Sequence, residues 1–392
     1  MRQPNLLRPI WRKDSSTPRT ESRIACLWGR LPEGENDMAM PLRKAESAAM
    51  ATPKQTLRFG QIGYGYWGPL MLRNLARQEN AEVALLADLS EARLAEAQRN
   101  FPGLRVTKEV NEIFADDIDA VYIATPLQTH FDLARLALLA GKHVLVEKPL
   151  TATSAQAKEL IALAAERNLV LMVGHTFEYS PEVEHLQRLV TTGELGRTYY
   201  INSSRLNLGI FRRDADVIWD LAPHDLSMIN FILGKAPTAV SARGASCVHE
   251  GLLDVAYIDL KYPDNIIAHV HVSWLNPNKE RRFTIVGDRR MVSYDDTAGN
   301  EKIKVYDRGV DRPDYASTFS EFQLSYRYGE IVIPFVAGVE PLAAECQHFA
   351  NAIRSGTQPR SHGQVGLHVV QTLEAAHESI AQGGIYVETH FN

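Results

Sequence analysis

The run Gly63-Tyr64-Gly65-Tyr66-Trp67-Gly68 fits the spacing GxGxxG. Glycine at its first position permits a tight turn, at its second the close approach of a pyrophosphate to backbone N–H groups, and at its third close packing of a helix. Such a pattern alone is weak, and its meaning comes from what flanks it. An apolar run, Leu57 to Ile62, precedes it, a helical pattern follows, and Asp88 stands at the end of the next apolar run, about twenty residues beyond the glycines. A carboxylate there accepts hydrogen bonds from the hydroxyls of an adenosine ribose and repels a 2′-phosphate. These features together predict a dinucleotide, NAD rather than NADP, held by Gly63, Gly65, Tyr66, Trp67, Gly68 and Asp88. Two alternatives stand beside this: Asp88 as a cap for a helix starting near Ser90, and Arg93 as a partner for a phosphate.

Asp220 and His224 are four residues apart, a spacing that puts both on one face of a helix, where a carboxylate can orient an imidazole and stabilise its protonated form. Pro223 lies between them and is tolerated only near a first turn, which predicts Asp220 at or just before the helix start. Lys148 follows another apolar run, and open parallel sheets gather their ligands at the carboxyl ends of strands. Oxidising a secondary alcohol needs a base for the hydroxyl proton while hydride leaves carbon. His224 can be that base; so can Lys148, whose pKa a nearby positive charge lowers, and the residues leave the division open. Taken singly each has a plainer use, Lys148-Pro149 as a surface turn and Asp220 as an N-cap.

The elements that must position these groups change grammar along the chain. Apolar strands at Leu57–Ile62, Ala81–Ala87, Ala120–Ala124, His143–Val146 and Val170–Val173 alternate with helical patterns, the first around Leu70–Ala76. Gly141 reads as a helix stop, Ser154 and Ser180 as N-caps, and Pro181 as a first helical residue. After Gly193 strand signals dominate, at Thr198–Leu206, Thr238–Ser246, Asp254–Lys261, Ile266–Trp274, Arg282–Val286 and Met291–Tyr294, with helices around Ala222–Leu233 and Pro341–Arg354. The fold class is therefore α/β: an N-terminal Rossmann dinucleotide-binding domain over 55–175, then an α+β domain over 176–392 with a largely antiparallel open sheet, for substrate binding and oligomerisation. The last segment has the option of packing back on the first domain.

Residues 1–54 mix Arg, Pro, Ser and acidic residues without periodicity, and are expected to be a disordered extension. Met38, Met40 and Met50 are alternative starts, and a targeting segment is the rival reading, against which Asp14 and Glu21 interrupt the acid-poor composition such segments prefer. The remaining composition is that of a globular chain: 392 residues, 45% hydrophobic, formal charge −5. It gives no attraction to nucleic acid and no membrane argument, and points to a small-molecule partner. Cys26, Cys247 and Cys346 are far apart and form no disulfide framework, CxxC motif or metal set, which suits a cytoplasmic protein. His269 and His271 alternate on one strand face with no carboxylate or cysteine in view, so packing is favoured over a metal.

The segments Ala124-Thr125-Pro126, His130 and Glu147-Lys148-Pro149, in this order after the glycine pattern, resemble the Gfo/Idh/MocA oxidoreductases from about residue 56 to the C-terminus. The resemblance implies that Thr125, Pro126, His130, Glu147 and Lys148 border the cofactor. It places Lys148 beside nicotinamide and substrate, with Asp220 and His224 completing the catalytic set. It makes 174–181 the crossover into the second domain, with His175 and Tyr179 as candidates to meet substrate, although a structural histidine and a packing tyrosine fit equally well. The stretches 205–209, 219–225 and 271–275 are similar to nucleotide-sugar 3-dehydrogenases of polysaccharide biosynthesis. That implies UDP-N-acetylglucosamine or its uronate as substrate, with Arg205, Asn207, Arg212 and Arg213 as candidate contacts and charge-assisted donors among the arginines. The chain lacks the glycine cluster that many relatives carry before the aspartate. A free-sugar or inositol dehydrogenase, an NAD-retaining glycosidase and a catalytically silent dinucleotide sensor are the alternatives. A homodimer or homotetramer built on the exposed face of the second sheet is also implied.

Overall fold

The computed structural model describes residues 56–115, 117–209, 211, 215–248, 250–311 and 325–389. The expected extension over 1–54, and Arg212 and Arg213, lie outside the described residues. The first half alternates strands and helices: β1 (Leu57–Ile62), α1 (Gly68–Ala76), β2 (Ala81–Ala87), α2 (Glu91–Asn100), β3 (Val106–Thr107), β4 (Ala120–Ile123), α3 (Leu127–Leu139), β5 (His143–Glu147), α4 (Ser154–Glu166) and β6 (Leu171–Gly174). All six strands pair in parallel in the order β3-β2-β1-β4-β5-β6. Helices cover both faces, so β4 and the middle of β5 are completely buried apolar runs. The order reverses between β1 and β4, and the register Ile62↔Ile123↔Val146 sets their carboxyl ends side by side. Gly63, Ala124-Thr125 and Glu147-Lys148 leave the sheet from that row, where such sheets bind ligands.

A 3-10 turn (Thr176–Tyr179) and α5 (Pro181–Thr191) lead into the second layer: β7 (Thr198–Leu208), α6 (Val217–Leu233), β8 (Ala239–Ala245), β9 (Val255–Tyr262), β10 (Ile266–Ser273), β11 (Leu275–Gly287), β12 (Met291–Asp295), β13 (Ile303–Asp311) and β14 (Ser325–Val332). Then come α7 (Pro341–Ser355), α8 (Gly363–Ala381) and β15 (Val387–Glu388). The nine strands run β14-β13-β12-β11-β7-β10-β9-β8-β15, antiparallel except for the β7–β10 pair. One face buries Ile201, Val270, Ile258 and Phe283 under α5, α6 and α8. The opposite face leaves Tyr200, Tyr257 and Ile267 exposed, the alternation of a sheet with one covered side.

The C-terminal helices return to the first sheet. Leu342, Cys346, Phe349 and Ala350 of α7 share a core with Phe59, Met71, Tyr122 and Leu145. Ser361 and His362 add backbone bonds to β6 at Val173 and Met172. Among the described residues no helix is long and apolar enough to cross a membrane.

Two local expectations are corrected. Thr153, not Ser154, caps α4, its hydroxyl accepting from the Gln156 N–H at 3.3 Å; Ser180 does stand at the N-cap position of α5, but its hydroxyl turns to Glu182. Helix α6 begins at Val217, well before Pro223, because Asp216 caps it by accepting the N–H groups of Ile218 and Trp219. Asp220 is therefore inside the helix. The proline removes one intrahelical bond, a loss on the order of 3 kcal/mol, which burial of Val217, Ile218, Ala222, Leu226 and Ile229 offsets.

Candidate active site

The glycine turn is built as the chemistry of a pyrophosphate cradle requires. Gly63 has φ +96°, and a Cβ there would lie 2.5 Å from the Ala124 carbonyl oxygen. At Gly65 the nearest atom to such a Cβ is the Arg93 guanidinium at 3.5 Å, so a side chain would fill the cavity itself. Helix α1 opens with no side-chain cap and no acidic residue in its first turn, leaving its N–H groups and dipole toward the loop. The cavity measures about 310 Å³ and its walls include Tyr66, Trp67, Thr125, Pro126, Glu147 and Lys148. Asp88 is buried beside Arg93 of the cavity wall, Oδ2 accepting from the Tyr64 N–H at 2.7 Å and Oδ1 from the Ser90 N–H at 2.8 Å. Ser90, rather than Asp88, is the cap of α2. Arg93 stands 3.9 Å from Asp88 Oδ2. The loop, the uncapped helix and the acceptor carboxylate fit a dinucleotide.

The far wall carries the titratable groups. Tyr122 donates to Glu147 Oε1 at 2.6 Å, and the Lys148 N–H donates to Glu147 Oε2 at 3.3 Å. Burial pushes the Glu147 carboxyl above its ordinary range. His130 is among the residues lining the cavity, and its Nδ1 lies 2.8 Å from the Pro149 carbonyl and Nε2 2.9 Å from that of Thr125, tying the turns after β4 and β5 together. The Lys148 ammonium crosses to α6, donating to the Asp220 carbonyl oxygen at 2.7 Å and lying 3.9 Å from Asp220 Oδ1. Asp220 Oδ2 accepts from the Trp274 indole N–H at 3.1 Å.

The expected Asp220–His224 pair is not made: His224 Nδ1 has no hydrogen-bond partner, because the carboxylate points toward the helix N-terminus to Lys148 and Trp274. Burial, and then the charges of Lys148, Arg205 and Arg281, hold the His224 pKa well below the ordinary imidazole range, so the ring is neutral. His175 is completely buried, both ring nitrogens lack partners, and burial followed by the Lys148 charge takes its pKa to about 3.

The remaining candidates separate. Tyr179 is not at the cavity: it packs in the core of the first layer and its hydroxyl lies 3.0 Å from Ser361 Oγ, since the 3-10 turn points it inward. Arg205 is buried against Asp225, donating through Nε at 2.6 Å and Nη2 at 3.3 Å, with the Phe177 ring 4.6 Å from its guanidinium carbon. Its charge is thus committed within the fold, contrary to the expected role as a free donor to substrate. Asn207 lies two residues further along β7, half-buried. His269 does have a carboxylate partner, Asp259 Oδ1 at 2.7 Å on the paired strand, and His271 stacks on Tyr257 at 4.3 Å between ring centroids. Trp219 on the cavity wall and Trp274 behind Asp220 carry no chemistry of their own that spacing could single out.

Comparison with known proteins accords with this geometry. Residues 57–175 match the oxidoreductase family model with an NAD-binding Rossmann fold, and residues 183–293 match the Gfo/Idh/MocA C-terminal domain. A UDP-N-acetylglucosamine 3-dehydrogenase of Acidithiobacillus ferrooxidans is 29% identical over 325 residues, 80% of this chain and 94% of that protein. A solved structure of that enzyme, GnnA, superposes with a TM-score of 0.69 at 28% identity, covering 83% of this chain and 98% of that one. An inositol 2-dehydrogenase of Rhizobium meliloti is 24% identical over 83% of this chain and 98% of its own length. A Rossmann sheet with an uncapped glycine turn, a lysine reaching from β5 to an aspartate on α6, and matches over both domains make this chain a member of the Gfo/Idh/MocA oxidoreductases, an NAD-binding dehydrogenase of the sugar and polyol type.

Proposed function

We propose that this chain oxidises a secondary hydroxyl at C3 of a nucleotide sugar, UDP-N-acetylglucosamine or its uronate, in the synthesis of a polysaccharide. The observation that carries the catalytic part is a Lys148 ammonium on the cavity wall, held to Asp220 of α6, with His224, whose pKa is lowered, one turn further along that helix. The likeness to a UDP-N-acetylglucosamine 3-dehydrogenase over most of both chains supports the substrate. Bound NAD supplies the hydride acceptor. Gly63, Gly65, Tyr66, Trp67, Gly68 and Asp88 hold the dinucleotide, with Thr125, Pro126, His130 and Glu147 shaping the pocket. Lys148 donates a hydrogen bond to the substrate oxygen and stabilises the negative charge that develops there. His224, whose pKa burial and neighbouring cations hold well below the ordinary imidazole range, takes the hydroxyl proton. His175 and Asn207 are the further candidates to meet the substrate's remaining hydroxyls.

A second reading, a free-sugar or inositol dehydrogenase, is favoured by the pairing of Arg205 with Asp225 and of Arg281 with Asp296, which engages two cations near His224 without a diphosphate. Oligomerisation through the open face of the second sheet is supported by the exposed Tyr199, Tyr200, Tyr257 and Ile267. The test is turnover with UDP-N-acetylglucosamine deuterated at C3. Deuteride should appear in the reduced cofactor, and Lys148→Met and His224→Ala should each keep NAD affinity while losing about 10²- to 10⁴-fold in kcat. Reaction of myo-inositol or a free sugar in place of the nucleotide sugar overturns the substrate; full activity in Lys148→Met overturns the site.

A further inference from the structure

We propose that Trp274 is a positioning residue of this site: its indole N–H fixes the Asp220 carboxylate beside the Lys148 ammonium, so that the aspartate serves the lysine and His224 is left as an uncoupled neutral base. The proposal rests on the catalytic reading above and assigns a role to a residue outside the expected set. Asp220 Oδ2 takes the indole N–H at 3.1 Å, while Oδ1 stands 3.9 Å from Lys148 Nζ. A carboxylate on a helix has rotamers to choose from, and a donor on one oxygen selects the one that turns the other oxygen to the lysine.

The indole itself is fixed from several sides. The Trp274 N–H donates to the Asp254 carbonyl at 3.0 Å, and the Trp274 carbonyl accepts from the Gly209 N–H at 3.0 Å. Gly209 lies so close that a Cβ there would be 2.8 Å from Trp274 Cδ1, and Phe211 meets the ring edge-on at 5.8 Å. The neighbouring carbonyl, of Leu253, accepts the Val217 N–H at the first residue of α6 at 3.0 Å. Adjacent residues of one loop therefore set both the helix that carries Asp220 and the tryptophan that aims it. Asp254 holds that loop in turn, its buried Oδ2 accepting the N–H groups of Cys247 and Val248. Such rigid outer contacts are what hold a catalytic constellation to its working geometry. Among the described residues, the charges that act on His224, one turn along α6 from Asp220, come from Lys148 after β5, Arg205 of β7, Arg281 of β11 and His175. Among these, Lys148 is the ion paired with Asp220.

The test is a double-variant cycle in the full chain with NAD, using whichever of UDP-N-acetylglucosamine and myo-inositol is turned over. Trp274→Phe keeps the apolar ring and removes the N–H. It should lower kcat about tenfold or more, the worth of a hydrogen bond to a charged group, with KM changed by less than about threefold, as for an interaction made in the transition state. Asp220→Asn should also lose kcat, and the combined variant should be no worse than Asp220→Asn alone, since both act through one contact. The alkaline limb of the kcat/KM pH profile, where the Lys148 ammonium gives up its proton, should move to lower pH in Trp274→Phe and in Asp220→Asn alike, while the acidic limb stays in place. Losses that multiply in the double variant, or a Trp274→Phe enzyme within about twofold of the original, overturn the positioning role. Asp220→Asn without effect overturns the catalytic reading together with it. Should Trp274→Phe fail to fold, benzothienylalanine at 274, with sulfur in place of N–H, runs the same cycle with the same criteria. The Trp274 indole N–H resonance should shift upfield in Asp220→Asn; an unmoved resonance refutes the contact itself.

Discussion

Removing the Asp225 carboxylate should destabilise the second layer far more than it changes substrate affinity. Asp225 accepts from Arg205 Nε at 2.6 Å, Arg205 Nη2 at 3.3 Å and Ser203 Oγ at 2.7 Å, and the two charged side chains are only 7% and 3% exposed. Solvent screening, which reduces surface pairs to a fraction of a kcal/mol, does not act at that depth. Asp225→Ala leaves a guanidinium buried over the Phe177 ring with no counter-charge, a loss of about 3–5 kcal/mol. With a urea dependence near ~3 kcal/mol/M, the unfolding midpoint should fall by about 1–2 M. Tryptophan fluorescence follows it, since Trp219 and Trp274 belong to the same layer. Replacing both partners, Arg205→Met with Asp225→Leu, removes the uncompensated charge and should recover most of the loss. A midpoint for Asp225→Ala within about 0.3 M of the original, or a double variant no better than the single, refutes the reasoning. If Arg205 were a substrate donor instead, its replacement would raise KM and leave the midpoint in place.

NAD should bind more tightly than NADP, because the buried Asp88 is already held as an acceptor by two backbone N–H groups and meets a 2′-phosphate with like charge. Titrating both dinucleotides checks this, and equal or tighter NADP binding would assign the phosphate to Arg93. Burial, partly opposed by Arg360, pushes Glu178 up to about 8 from an ordinary 4.5. The folded chain then keeps a proton that the unfolded chain has released, so stability should fall as pH rises from about 4.5 to 8, by up to about 1.4 kcal/mol per unit. Glu178→Gln, permanently neutral, should flatten that slope in melting temperatures taken from pH 5 to 8.5; parallel curves for the two proteins would rule the explanation out.

Much of this arrangement is legible in the sequence because the first sheet advertises itself. β1 and β2 are mostly apolar runs, broken by Arg58 and Gln61 in the first and Glu82 in the second and ended by a glycine turn and an aspartate, and their expected bounds coincide with those observed. The sequence also carries Lys148, Asp220 and His224 as a set. It does not carry which of them touch, since that depends on where α6 starts. Pro223 reads as a first-turn signal, whereas Asp216, six residues before the expected start near Ala222, is the stronger one, and the shift moves Asp220 into the helix and its carboxylate to Trp274. Arg205 and Tyr179 depart from their expected placement for a different reason. Their residue types suit a polar site, but partners distant in sequence, Asp225 and Ser361, absorb them. β13, β14 and α8 lie outside the pattern reading, although Leu367, Val370 and Leu373 repeat at helical spacing.

The return of α7 to the first sheet separates the order in which this protein is made from the order in which it can be finished. Phe59, Met71 and Leu145 are synthesised early, yet the side chains that close their core, Leu342, Cys346, Phe349 and Ala350, leave the ribosome near the end. Until then the nascent cofactor-binding layer presents that apolar surface, and its β6 edge is open where Ser361 and His362 will later bond. Exposed apolar surface and unpaired strand edges are what make partly synthesised chains prone to associate. A ribosome stalled anywhere before residue 341 therefore holds an incomplete Rossmann layer, and a chain cut at the boundary between the two sheets inherits the same defect.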